Sequence, residues 1–474
     1  MKLISTNNNQ NTISPVGVTG ANTPTPLATG ETTRYINLDN SASTPALQSV
    51  TDFIHDFLPY YSSVHRGSGI KSRISTQLYE DAHEIVARFV GASTKDNTVI
   101  FTKNTTEAIN KLSYRFPFTD DAIVLSTGME HHSNDLPWRN KAKTIHLRTT
   151  PSGKLDLGDL KEKLEQYAPN IALVCISGAS NVTGLIQPIY NIARMAHRAG
   201  AKVLVDAAQL APHRSIDIRP NGHPEHIDFL ALSAHKMYAP FGTGALIAPK
   251  DLFLNSAPEY CGGGTVQSVT LDDVVWAGLP DREEAGSPNV IGAVALAKAI
   301  TELEKMGMHQ IASHEMQLTH YALEELQKID RVTLYGDLKA ERVGVVSYNA
   351  EGISHFKLAA VLSHEYGIGV RNGCFCAHPY VVSLLDLGEE EITAWKKQLQ
   401  RGEKSNMPGL VRISFGCYNT VDDVQTFVSA LKDILRHGPN LDYTQNKNTG
   451  EFSPVNLAKD STEQFLKVCG LGYH

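Results

Sequence analysis

Val203-Leu204-Val205-Asp206-Ala207-Ala208-Gln209 and Phe229-Leu230-Ala231-Leu232-Ser233-Ala234-His235-Lys236 are the two stretches that decide the fold. Each begins with a short apolar run and closes on polar residues, the pattern of a strand buried on both faces. Outward from this pair the chain alternates. Residues 79–90 read as a helix stopped by Gly91, followed by a strand at Val99-Ile100-Phe101-Thr102, a helix over 106–115 and a strand over 122–126. A helix over 157–167, an extended run over 171–177 and a helix over 189–199 stopped by Gly200 come next, and 244–248 is a further strand. Glycine just past a helix end is the expected stop. Short β-rich runs separated by amphipathic helices predict an α/β domain with a mostly parallel sheet covered on both faces.

Ligands on such sheets bind beyond the carboxyl ends of the strands, where Asp206 and Ser233 to Lys236 fall. A carboxylate and a lysine at neighbouring strand ends suit one cofactor, pyridoxal 5'-phosphate (PLP). The lysine amine condenses with its aldehyde, and the carboxylate keeps the pyridine nitrogen protonated so that the ring accepts electrons.

The rest of the chain sets limits. Its 474 residues are enough for two domains, and a net charge of -7 without a basic stripe argues against nucleic acid. No apolar run approaches the roughly 18 residues of a membrane helix, and the Asn-, Thr- and Pro-rich start has no secretory apolar region, reading instead as a disordered or extended arm. Six cysteines (175, 261, 374, 376, 417 and 469) form no dense framework, as expected of a cytoplasmic protein. Beyond Asn289 a long helical pattern over 291–328, broken near Gly307, leads to strands at 343–348, 368–371 and 410–415 and helices at 356–366 and 422–435, a smaller α+β domain.

Several further residues could serve a PLP site. Thr105-Thr106-Glu107 opens a helix whose free N–H groups would suit a phosphate, although threonine there is usually a plain cap. Ser233 and His235 could donate to the same phosphate. His131, in Glu130-His131-His132-Ser133-Asn134, could stack on a flat ring; no ligand spacing supports a metal. Asn181 could reach the cofactor hydroxyl or the substrate, and Gln209 could do the same. Arg371, in Arg371-Asn372-Gly373-Cys374-Phe375-Cys376-Ala377, matches a carboxylate bidentately. Its two cysteines are open to structural, metal or redox readings.

Together these segments resemble the class V aminotransferase family, most closely its cysteine desulfurase and selenocysteine lyase branch. The resemblance runs from Tyr35-Ile36-Asn37-Leu38-Asp39-Asn40-Ser41-Ala42 to about His437. It includes Val64-His65-Arg66-Gly67, Glu284-Ala285-Gly286-Ser287-Pro288-Asn289 and Tyr418-Asn419-Thr420 as well as the motifs above. It implies the PLP-dependent transferase fold type I, with a seven-stranded mostly parallel sheet in a large domain over 49–295. A small domain over 296–440, joined by 31–48, an arm over 1–30 and a tail over 441–474 complete the division. It further implies Lys236 as the cofactor lysine, Asp206 as the pyridinium partner and His131 as the stacking ring. Gln209 and Asn181 would lie near the phenolic oxygen, with Thr105, Thr106, Ser233 and His235 on the phosphate. Ser287 would reach the phosphate of the partner subunit in a homodimer, Arg371 would bind the substrate carboxylate, and Cys376 would be the nucleophile.

The activity so implied is removal of sulfur from L-cysteine, leaving alanine and a persulfide on Cys376, with a sulfur-acceptor protein as a further partner. His378 is a candidate to lower the thiol pKa. A C–S lyase, selenocysteine lyase, epimerase or aminotransferase acting on another amino acid is the alternative. Three features depart from the branch: Asn372 replaces Thr, Cys374-Phe375 replaces His-His, as in the related molybdenum-cofactor sulfurases, and 388–405 reads as an inserted charged helix.

Overall fold

A computed structural model describes residues 16–65 and 67–455. Residues 1–15 of the arm expected over 1–30, residues 456–474 of the tail with Cys469, and Arg66 lie outside the described residues. The centre is a seven-stranded sheet in the order Asn97–Thr102, Gly244–Pro249, Phe229–Ser233, Lys202–Asp206, Ile171–Ser177, Ile123–Thr127, Lys143–Leu147. Only Gly244–Pro249 runs antiparallel to its neighbours.

Side chains alternate across this sheet as period-two geometry requires. Val203, Val205, Leu230 and Ile247 face one apolar cluster with Ile192 and Leu296. Leu204, Phe229, Ala231 and Leu246 face the other with Ile109, Leu112 and Trp138. Both faces are therefore covered by helices, and polar groups gather at the strand ends.

Local differences from the sequence reading have physical reasons. The first long helix spans Ile70–Phe89, nine residues longer at its start; Ser72 and Ser75 are buried there, small residues that carry no apolar stripe. Lys143–Leu147 escaped the reading because it is a sheet edge with only Leu147 buried. The run over 368–371 divides into Ile368–Gly369, parallel to Ile36–Asn37, and Arg371–Gly373, antiparallel to Leu410–Ser414.

The second sheet, in the order Val332–Leu334, Val345–Ala350, Leu410–Ser414, Arg371–Gly373, is wholly antiparallel. Helices Met308–Gln327, His355–Tyr366 and Val421–His437 cover it around Leu358, Phe415 and Phe427. Residues 16–30 are extended and pinned rather than disordered: Val18 bridges to Leu47, and Pro24–Pro26 pairs with Thr32–Arg34. The charged insertion is a helix, Glu389–Gln400, and Tyr443–Gln445 with Phe452–Pro454 forms a hairpin over the body. Among the described residues no helix is long and apolar enough to cross a membrane.

Gly244 links the sheet to the site. A Cβ there would lie 2.6 Å from the backbone of Asn104 and 2.7 Å from the Leu232 carbonyl, atoms that cannot yield alone. Gly244→Ala is expected to lower unfolding stability by about 2–3 kcal/mol in denaturant titrations. An unchanged midpoint would show that this contact is not tight.

Candidate active site

The carboxyl ends of Ile123–Thr127, Ile171–Ser177, Lys202–Asp206 and Phe229–Ser233 open into a cavity of about 250 Å³. Every predicted site residue except Ser287 and His378 lines it: Thr105, Thr106, His131, Asn181, Asp206, Gln209, Ser233, His235, Lys236, Arg371 and Cys376. Ser287 faces two other cavities, beside Glu284 and Asn289 and beside His65 and Gly67.

Asp206 and Lys236 sit at adjacent strand ends, the carboxylate buried and the amine partly so. Burial pushes the Asp206 carboxyl above its ordinary value, against the Ala208 N–H at 3.0 Å and the charge of Lys236. Burial pulls Lys236 down to about 8, against the attraction of Asp206. An amine that gives up its proton far more readily than an ordinary lysine, beside a carboxylate short of cationic partners, fits an aldehyde-bearing pyridinium.

His131 is neutral, drawn down to about 3 by burial first and then by Lys236, His132 and Arg412. Its Nδ1 accepts from the Ser133 N–H at 3.1 Å, which leaves an uncharged ring for stacking. Gln209 donates through Nε2 to the Ser41 carbonyl and hydroxyl at 2.6 and 2.8 Å. Its Oε1 is buried with no partner among the described residues, an unmet acceptor that a ligand O–H or N–H could satisfy.

The helix Thr105–Arg115 starts the phosphate end of the cavity. Its cap is Asn104, not threonine: Asn104 Oδ1 accepts from the Glu107 N–H at 3.0 Å. Thr105 and Thr106 are thus the first helical residues. The Ser233 hydroxyl lies 2.8 Å from the Thr105 hydroxyl and amide, and the Thr106 hydroxyl 2.6 Å from that of Ser133. His235, drawn down to about 4 by burial and then Lys236, adds a neutral ring. Hydroxyls at a helix N-terminus suit a phosphate, and the donor set fits PLP. Glu130, the first residue of its motif, is a scaffold: buried and pushed up to about 7, it accepts from Thr127, Asn134 and Ser177.

The opposite wall is the segment over 371–378. Cys376 lines the cavity and is exposed, whereas Cys374 is buried, donates to the Pro408 carbonyl at 3.1 Å and is pushed up to about 12 by burial. Asn181 is spent on this segment, donating to the Phe375 carbonyl at 2.7 Å. His378 does not supply positive charge to the thiol. Its Nδ1 lies 3.0 Å from His132 Nε2, and burial, then His132, lowers its pKa.

Sequence reasoning missed Arg412. Arg371 is half exposed and 3.7 Å from Asp39, while Arg412 is 3 % exposed, bonded to Asp39 at 3.0 Å and to the Asn181 carbonyl at 2.8 Å. Its guanidinium carbon stands 4.7 Å from the Phe375 ring centre, and its Nε has no partner among the described residues. The available signal was a lone arginine within the apolar strand Leu410–Ser414. Two cations therefore face one thiol and one amine in a single cavity, an arrangement suited to a small zwitterion with a carboxylate.

Comparison with known proteins identifies the family. A cysteine desulfurase of Haloferax volcanii is 33% identical over 411 residues, covering 85% of this chain and 89% of that one. A probable cysteine desulfurase of Halalkalibacterium halodurans is 35% identical over 407 residues, 84% of this chain and 92% of the relative. The solved cysteine desulfurase of Thermococcus onnurineus NA1 has a TM-score of 0.75 at 32% identity, covering 85% of this chain and 95% of its own. The cysteine desulfurase CsdA of Escherichia coli has 0.72 at 28% identity, with the same coverage. The family profile described as aminotransferase class-V matches residues 36–427, from the segment that crosses to the second sheet through to its last long helix, and the chain belongs to that family.

Proposed function

We propose that the protein is a PLP-dependent cysteine desulfurase, converting L-cysteine to alanine and leaving the sulfur as a persulfide on Cys376. The observation that carries this reading is the sharing of one cavity by Cys376, Arg412, Lys236 and Asp206.

PLP, when bound, supplies an electron sink for a carbanion at the substrate α-carbon. Lys236, Asp206, His131 and Gln209 would hold its ring, and Thr105, Thr106, Ser233 and His235 its phosphate. Lys236 Nζ, near-neutral around pH 8, takes the α-proton once it is free. Arg412, rigidly held by Asp39 and the Asn181 carbonyl, binds the substrate carboxylate, with Arg371 at the mouth. Cys376 as thiolate attacks the substrate sulfur. The new S–S bond replaces the S–Cβ bond, the electron pair of the broken bond stays with carbon, and a proton there completes alanine. Sulfur is oxidised to the persulfide level and carbon reduced, so no outside oxidant or reductant enters. The thiolate, not the thiol, is the nucleophile in such a step, and Cys376 shares the cavity with Lys236 and Arg412.

The same reading includes a homodimer in which Ser287 reaches the partner's phosphate site, a sulfur-acceptor protein that unloads Cys376, and a cytoplasmic setting. It keeps the division into a large domain over 49–295 and a small one over 296–440.

Given L-cysteine, the holoenzyme is expected to release alanine, and Cys376→Ala to lose at least about a hundredfold of that rate while Cys374→Ala stays within a few-fold. Wild-type turnover in Cys376→Ala would remove that thiol from the reaction. Arg412→Gln should cost about 3 kcal/mol in kcat/KM, roughly a hundredfold, and Arg371→Gln distinctly less; the reverse ranking would return the carboxylate to Arg371. Since the folded-state pKa of Lys236 lies below its ordinary value, the amine is deprotonated above about 8. PLP uptake by apo-protein, followed by visible absorbance, should therefore quicken as pH rises through about 8. Asp206 raises that pKa, so Asp206→Asn should move the midpoint lower; a shift upward would contradict the pairing.

A further inference from the structure

The inserted helix Glu389–Gln400 buries none of its residues, so it adds nothing to the core. Its one ring contact is Trp395, whose plane is 14° from that of His378 with ring centres 5.7 Å apart. The indole N–H of Trp395 is buried with no acceptor among the described residues, a cost of about 1–3 kcal/mol that a position chosen for hydrogen bonding would avoid. Stacking is what holds the indole there.

Beyond Trp395 the contacts run inward without a gap. His378 and His132 share an N–H···N bond at 3.0 Å, their rings 6° from parallel. The backbone N–H of His132 then donates to the Cys376 carbonyl at 2.8 Å. That carbonyl belongs to a strained stretch: Phe375 and Cys376 have φ of +52° and +56°, the left-handed region that side chains other than glycine rarely enter. Each such residue costs of order 1–3 kcal/mol and persists only where its surroundings hold it. Asn181 holds Phe375 and Arg412 packs on its ring, but Cys376 itself is gripped through His132.

The insertion is anchored for this purpose at its far end. Lys404 N–H donates to the Lys447 carbonyl at 2.8 Å and Gln445 to the Ser405 carbonyl at 2.9 Å, both in the C-terminal hairpin region. The Met407 carbonyl lies 2.9 Å from His355 Nε2, and Pro408 accepts from Cys374. The loop over 404–408 that follows the helix is thus tied to the hairpin on one side and to the cysteine segment on the other.

We infer that Trp395, acting through His378 and His132, is a positioning residue that keeps Cys376 in sulfur-accepting geometry. This rests on Cys376 being the sulfur acceptor. Misplacing a reacting atom by about 1 Å can cost roughly a hundredfold.

The test uses holoenzyme and the variants Trp395→Ala and Trp395→Phe. Trp395→Ala should lower kcat for alanine release from L-cysteine by roughly ten- to a hundredfold with KM within about twofold, and Trp395→Phe should restore most of it. Iodoacetamide labelling, read by peptide mass, supplies a readout independent of turnover: in Trp395→Ala, Cys376 should be alkylated at least about threefold faster relative to the exposed Cys261. Unchanged kcat together with an unchanged labelling ratio overturns the inference. If the wild type releases no alanine from cysteine, the desulfurase reading fails, and the labelling ratio alone still decides whether Trp395 restrains Cys376. A fall in unfolding midpoint that tracks the loss in both variants would mark Trp395 as merely structural and overturn the positioning role.

Discussion

A buried carboxylate and a partly buried amine stand at adjacent strand ends, each shifted toward neutrality by desolvation and each drawn back by the other. This opposition is the constraint on which the rest of the structure depends. A buried carboxylate with one backbone N–H and a partly buried amine as its partners is costly, and a ligand that is cationic toward Asp206 and electrophilic toward Lys236 meets that cost. The sheet makes it possible. Parallel pairing of Lys202–Asp206 with Phe229–Ser233 sets Asp206 level with Ala231, so both motifs leave the sheet at the same edge. An antiparallel pairing would have sent one of them to the opposite edge.

Everything around that pair is arranged to keep charge scarce. His131 and His235 are neutral rings, Glu130 is bonded to three side chains, and the hydroxyls of Thr105, Ser233, Thr106 and Ser133 satisfy one another. The remaining cation deep in the cavity is Arg412, compensated by Asp39 from the N-terminal segment. Hence the segment at 36–42, which pairs with Ile368–Gly369 and bridges the second sheet at Asp39 and Ser414, is part of the site and not merely a connector. Arg412 also reaches across to the Asn181 carbonyl, in the loop that follows Ile171–Ser177 of the first sheet.

How much of this was legible depended on how local the signal was. The buried strands announced themselves through runs such as Val203-Leu204-Val205, and the strand-end motifs followed in the next residues, which is why Lys236 and Asp206 could be placed. Arg412 could not, because its partner Asp39 is 373 residues away in sequence and no local rule separates a buried arginine from an exposed one. Arg371 looked better for the opposite reason: it lies beside the cysteines, and proximity along the chain stood in for position in space. Asn104 as the cap was also hidden, since asparagine and threonine both cap well and only the backbone decides between them. Lys143–Leu147 had too little burial to show a pattern.

The segment over 371–378 is where local preference and observed structure disagree most. Glycine would be the natural choice at the left-handed positions held by Phe375 and Cys376, and a glycine stands only at Gly373. Each departure has a use that glycine could not serve: the Phe375 ring lies against Arg412, and Cys376 brings a thiol to the cavity. A chain that must put side chains where backbone preference opposes them needs outside support, and here that support arrives from Asn181, His132 and Arg412. The added helix and hairpin, which contribute little to either core, make physical sense as reinforcement of this one strained place.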